Sequence, residues 1–315
     1  MYLPFLRGKQ NELIALRELI DDGIITENIL PIIEPVKYSS TLVSTIETFV
    51  ENRRRLVMII NPKVGNFLND LDEQPEIFKR IKEILQSPYV IIGYHMNKTS
   101  LMELPELAHI FNVNLEDIAI IHDDITHLAI YDELYSTDLP FLNIVPSESS
   151  FKRRFVNQNA VVINKSFKKQ TRNVDYSNLE DEFFSDEHRY YESDGFVGFS
   201  DYSIVGDEFI EGGFGALAVA IHIIYPDTEY NLRVRHFVSD SNEDRTDPAG
   251  KFYEATSKLV AWANDINTSS IRTKALTTLI RHNEAGTFPG LGIAKKLCIM
   301  HHLEIVEDLL VSSKA

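Results

Sequence analysis

At 315 residues, 44% hydrophobic and 25% charged, the sequence has the composition of a globular chain with a substantial core. Its formal charge of −16 argues against free duplex DNA as a ligand, because phosphate affinity normally needs a net basic footprint. The single cysteine, Cys298, excludes an intramolecular disulfide and a CxxC metal pair, and no apolar run reaches the roughly 18–20 residues of a membrane span. These features predict a cytoplasmic protein with no membrane segment.

One unit recurs along the chain: a short β-branched run, a polar end, then a helical stretch. The runs are YLPFLRG (2–8), ILPIIEPV (29–36), LVMIINP (56–62), YVIIGYHM (89–96), DIAIIHDD (117–124), LPFLNIVP (139–146), AVVINKSF (160–167) and GFVGFSDY (195–202). Each is apolar on both faces, as a strand buried on both sides of a parallel sheet requires. Their starts lie about 21 to 35 residues apart, the length of a strand plus a crossover helix. Between them, NELIALRELIDDG carries a helical stripe (Leu13, Leu16, Leu19, Ile20) and stops at Gly23. STLVSTIETFVENRR and EQPEIFKRIKEILQS repeat the pattern, with Ser40 and Asp72 on the N-cap side. NKTSLMELPELAHIF places Pro105 near its first turns.

Eight such units predict an α/β fold of the TIM type, a (β/α)8 barrel over 1–202. The alternative is a doubly wound open sheet, which normally has fewer strands and marks its switch point with a Gly-rich phosphate loop. No such loop is present, since GGFG (212–215) is not GxGxxG and reads as a turn. The acidic stretch DYSNLEDEFFSDEHRYYESD (175–194) reads as a solvated loop or helix. After Tyr202 the rhythm changes to a C-terminal extension over 203–315: a β-hairpin followed by about three helices. YNLRVRHFVSD sets Leu232, Val234, His236 and Val238 against Arg233, Arg235 and Phe237, as an antiparallel strand with one wetter face would.

A barrel carries its functional groups at the C-terminal ends of its strands. The residues falling there are Arg7 and Lys9, Glu34, Asn61 and Lys63, His95 and Asn97, His122, Asp123 and Asp124, Asn143, Lys165, Asp201 and Tyr202. Three readings stay open. The rim recognises an anion, with Arg7, Lys9, Asn61, Lys165 and Tyr202 as ligand-binding residues. Alternatively it hydrolyses a phosphodiester, with His95, His122 and Asp201 as catalytic groups and a divalent metal held by Glu34, His122 and Asp123. Or its charges satisfy one another as structural ion pairs, Lys9 with Glu34 for example. The dipeptide His122-Asp123 matches the HD pair of some metal hydrolases, a pattern too common to decide. Other stretches are weaker. FKRRF (151–155) reads as a solvated helix face or a phosphate site at a helix N-terminus, KSFKKQTR (165–172) as a charge-complementary loop or further cations on the same rim, His301-His302 and Trp262 as packing residues, and RHFVSDSNEDR as a surface turn or a lid.

PFLRGKQNELIAL, ILPIIEPV, FVGFSDYSIV and AIHIIY together resemble the bacterial and phage "beta family" proteins, in particular the shorter branch often encoded beside a small nuclease-like protein. The resemblance spans nearly the whole chain and implies a TIM-barrel-like fold, with Lys9, Glu12, Glu34, Asp201 and Tyr202 as the matching residues. It further implies a role in phage–host conflict, in a defence or mobile-element module with a nuclease-like protein partner; the anion expected at the rim is then a nucleotide or a nucleic-acid end.

Overall fold

A computed structural model describes residues 1–211, 217–265 and 271–312. The GGFG turn and the first residues of the TSSIRTKALTTLI helix lie outside them. The chain forms two compact units, Met1–Asn164 with Glu187–Tyr202, and Lys165–Asp186 with Ser203–Ala315.

In the first unit the strands β1 (Tyr2–Leu6), β2 (Ile32–Ile33), β3 (Leu56–Ile59), β4 (Val90–His95), β5 (Ala119–Ile121), β6 (Leu142–Pro146) and β7 (Ala160–Asn164) pair in parallel in chain order. The chain then leaves for β8 (Asp181–Ser185), which joins the other unit, and returns as β9 (Gly198–Asp201) between β7 and β1. That closes an eight-stranded barrel, the fold expected from the repeated strand–helix units. The registers Phe5↔Ile32 and Pro4↔Asp201 tie the first strand to both neighbours. The helices of this unit are α1 (Gln10–Asp21), α2 (Ser40–Glu51), α3 (Phe67–Glu73), α4 (Pro75–Leu85), α5 (Ser100–Phe111), α6 (Leu128–Leu134), α7 (Ser149–Phe155) and α8 (Glu187–Tyr190). The cap of α2 is Ser39, whose hydroxyl accepts from the Leu42 amide at 3.1 Å, one residue before the expected Ser40. Asp72 lies inside α3 rather than capping α4, which starts at Pro75, and Pro105 lies inside α5 rather than in its first turn.

Side chains alternate across each strand, so every second residue faces the barrel interior. Leu3 and Phe5, Ile32, Val57 and Ile59, Ile91, Ala119 and Ile121, Leu142 and Ile144, and Val161 and Ile163 fill it as one buried cluster. The intervening residues face the helices. The same parity, continued past the strand ends, sorts the polar groups of the rim.

In the second unit, β8 pairs with an antiparallel hairpin of β10 (Ala220–Pro226) and β11 (Leu232–Val238) in the order β10-β11-β8. The helices α9 (Pro248–Asp265), α10 (Lys274–Glu284) and α11 (Leu291–Ser312) complete it, α11 along β10 and α9 along β11. The acidic stretch read as a solvated loop or helix therefore supplies a strand. Its charge is answered by β11, since Asp181 pairs with Arg233 and Glu180 with Arg235. Residues 165–186 belong with this unit, whereas the sequence division placed everything up to 202 in the barrel.

Two glycines at positive φ test how much the backbone path depends on the missing side chain. A Cβ on Gly65 (φ +75°) would lie 2.0 Å from the Val36 carbonyl oxygen, whereas one on Gly23 (φ +72°) meets nothing within 4 Å. Gly23→Ala therefore carries only the left-handed backbone penalty, about 1–2 kcal/mol. Gly65→Ala exceeds it, because the loop after β3 must move off the loop after β2. Thermal melts of the two variants should rank in that order.

Candidate functional site at the barrel mouth

Glu34 is the centre of the mouth. It follows β2 in phase with Ile32 and has no solvent exposure. Arg7, in phase with Leu3 and Phe5, pairs its Nη1 with Glu34 Oε2. The Lys63 backbone amide donates to Oε1 at 2.8 Å, and His95 Nε2 lies 3.3 Å from the same oxygen. The Arg7 guanidinium stands 5.3 Å from the centroids of both Phe5 and Tyr202. These aromatic faces shield it from water and favour its charge.

Local sequence explains how Arg7 is presented. Gly8 turns at φ +62°, where a Cβ would lie 3.1 Å from Pro35 Cα and 3.2 Å from the Glu34 carbonyl oxygen. Glu12, buried in the first turn of α1, reaches back to accept from the Arg7 backbone amide at 2.7 Å. A carboxylate there also favours the positive end of the helix dipole. The cation on Glu34 is thus Arg7, where Lys9 was expected; Lys9 instead occupies the N-cap position of α1.

The outer layer of the mouth is a second ion pair, Lys63 Nζ with Asp123, half exposed on both sides. His95 lies between the layers, with Nδ1 3.8 Å from Asp123 Oδ2 and a nearly buried ring. Burial, reinforced by the positive charges of Lys63 and Arg7 and opposed by Asp123, pulls its pKa down to about 3. The imidazole is therefore neutral at pH 7. Asn61 holds it in place: its Oδ1 accepts from the His95 amide at 2.8 Å and its Nδ2 donates to the His95 carbonyl at 2.9 Å. Both ends of that amide are engaged with backbone, so Asn61 positions the site instead of reaching a ligand.

Four residues expected on the rim are elsewhere: His122 with Asn143, Asp201 and Lys165. His122 follows Ile121 in the opposite phase and faces the helices. Its ring is buried, packs on Tyr131 of α6 (4.9 Å) and Phe155 of α7 (4.5 Å), and lies 3.0 Å from Asn143 Oδ1. Since Asn143 Nδ2 already donates to the Gln158 carbonyl, Oδ1 accepts from a protonated His122 Nε2. Asp201 is buried on the same outer layer of β9, where it accepts from the Tyr2 hydroxyl at 2.9 Å. The expected catalytic set of His95, His122 and Asp201 is therefore split across the barrel wall, and Glu34, His122 and Asp123 cannot share one metal ion. Among the described residues no cluster of three metal-type donors occurs. Lys165 lies in the second unit, where it pairs with Asp207 at 2.8 Å. FKRRF forms most of α7, burying Phe151 and Phe155 while Arg154 pairs with Asp132.

No family model, no curated protein and no solved structure matches the chain. Among the described residues no helix is long and apolar enough to cross a membrane.

Removing one partner of a buried ion pair leaves an uncompensated charge. Glu34→Gln should lower unfolding stability by about 3–5 kcal/mol, and the double variant Arg7→Met/Glu34→Gln should recover most of that loss. Urea unfolding of the three proteins measures the coupling.

His122 gives a second test, through pH. Burial lowers its pKa to about 4, so between pH 6.5 and 4 the unfolded chain takes up a proton that the folded chain refuses. Its contribution is fully present above pH 6.5 and is lost as the pH falls. His122→Phe should flatten the stability–pH curve in that window by about 1.4 kcal/mol per pH unit, as read by urea unfolding at pH 5 and 7.

Proposed function

We propose that the barrel mouth recognises a small anionic group, such as the phosphate of a nucleotide or of a nucleic-acid end. The observation that carries this reading is the contrast between the two ion pairs. Breaking the buried Arg7–Glu34 pair costs about 3–5 kcal/mol, whereas a half-exposed pair such as Lys63–Asp123 contributes about 0–1 kcal/mol. An incoming anion can therefore take Lys63 from Asp123 at little expense. Behind it Arg7 neutralises Glu34, so the anion meets no uncompensated carboxylate there, and neutral His95 offers a hydrogen bond without a charge to desolvate.

The resemblance to the beta family supports a wider setting for this recognition: an anti-phage defence or mobile-element module in which the protein acts with a nuclease-like partner. A second reading, phosphodiester hydrolysis on the same rim, draws on the position of His95 between the carboxylates of Glu34 and Asp123. An imidazole with a pKa near 3 is poorly matched to proton transfer at pH 7, which favours binding over acid–base catalysis.

Calorimetric titration with inorganic phosphate, AMP and GMP tests the binding reading. At least one should bind, with affinity falling as salt rises, and Lys63→Ala should weaken it about tenfold while leaving the melting temperature within a few degrees. No binding to any of the three, or equal binding by Lys63→Ala, would sink the proposal. Turnover of bis-p-nitrophenyl phosphate that persists in His122→Phe and vanishes in His95→Asn would favour the hydrolase instead.

A further inference from the structure

The second unit contains a cavity of about 240 Å³ that is separate from the barrel mouth. An engineered cavity of about 150 Å³ already takes benzene, so this one has room for a ring with substituents. Its walls come from the segment after β7, the 3-10 turn Asn173–Asn178, β10 and the start of α11. Phe167 and Tyr176 supply aromatic surface, and both pack against His222, at 5.0 and 4.6 Å between ring centroids. Lys169 and Lys295 line the same space.

The protonation of His222 follows from its partners. His222 and His236 are cross-strand neighbours on β10 and β11, with their Nδ1 atoms 2.8 Å apart. On its far side, His236 places Nε2 3.2 Å from Glu182 Oε2. A carboxylate only accepts, so His236 carries its proton on Nε2 and its Nδ1 is a lone pair. His222 must then donate from Nδ1, which leaves its own Nε2 as a lone pair. Burial lowers the pKa of both rings, so neither is a cation at pH 7. Among the described residues no protein group bonds His222 Nε2, and His222 is one of the cavity's lining residues. Glu182, His236 and His222 thus form a relay that leaves one hydrogen-bond acceptor, Nε2, on a residue lining an aromatic-walled space. Cys298 lines the cavity too, but burial pushes its thiol up to about 12, so it is not a nucleophile there.

We propose that this cavity is a binding site for a planar heterocycle of nucleobase size whose ring N–H donates to His222 Nε2. The aromatic walls select a flat ring, the acceptor selects an N–H edge, and Lys169 and Lys295 favour an anionic substituent on that ring.

Titration of the full chain with uracil, orotate and 1,3-dimethyluracil tests this. Uracil and orotate bind, orotate at least fivefold more tightly because of its carboxylate, and 1,3-dimethyluracil, with both N–H groups methylated, does not. Lys295→Met removes the advantage of orotate, and His222→Phe abolishes uracil binding with an unchanged circular-dichroism spectrum. Long-range proton–nitrogen NMR at pH 7 provides a readout independent of any ligand, in which His222 is the Nδ1–H tautomer. An Nε2–H tautomer, equal binding of 1,3-dimethyluracil, or no binding of uracil or orotate at millimolar concentration overturns the proposal and leaves the cavity as a water-filled void.

Discussion

Glu34 sits fully buried at the top of an apolar barrel interior, so its charge must be answered by neighbours rather than by water. Most of what is distinctive about the mouth answers that demand. Arg7 supplies the counter-charge, Phe5 and Tyr202 shield it, and Gly8 and Glu12 fix the backbone that delivers it. The loop after β3 brings the Lys63 amide onto the other carboxylate oxygen, while Gly65 lets the same loop pass against Val36. His95 is held neutral by the low polarizability of its buried setting and by the two cations beside it. A single buried carboxylate thus organises three strand ends, and leaves the outer Lys63–Asp123 pair as the part of the mouth that can exchange partners.

Strand parity is the second constraint. Residues one position apart at a strand end face opposite sides of the barrel wall, so chemical similarity along the rim is a poor guide to shared space. His95 is inside and His122 outside; Asp123 is inside and Asp201 outside. The outer groups carry real hydrogen bonds, His122 to Asn143 and Asp201 to Tyr2, but these bind strands to each other or to the helix layer. They are buried polar contacts of the kind a barrel uses to satisfy itself.

The second unit handles its histidines the same way. His301 donates from Nε2 to the Ile224 carbonyl and accepts from the Thr273 hydroxyl at Nδ1, and that hydroxyl in turn caps α10 by accepting from the Leu276 amide. One neutral ring therefore joins α11, β10 and the start of α10. Both ring nitrogens of His301 are bonded to protein, whereas His222 lines a cavity and has a bond only at Nδ1 among the described residues. That difference separates a structural histidine from one that can recognise a ligand.

Periodicity alone determined that the chain has eight strand–helix units and a different C-terminal segment, because burial on both faces of a parallel strand forces an unbroken apolar run. The same period of two fixes which residues of a strand share a face, but with both faces apolar it does not say which face is the interior, and so His122 and Asp201 were expected on the rim beside His95 and Asp123. The count of units was legible without coordinates; the sorting of the rim was not. Which cation would meet Glu34 was not, since Arg7 and Lys9 differ by a left-handed turn at Gly8 whose direction depends on the neighbouring strand. Nor could the acidic stretch reveal β8, whose partners Arg233 and Arg235 lie some fifty residues further on. Only closure of the barrel and pairing of the small sheet brought such distant residues together, and with them the charges, tautomers and cavities on which recognition depends.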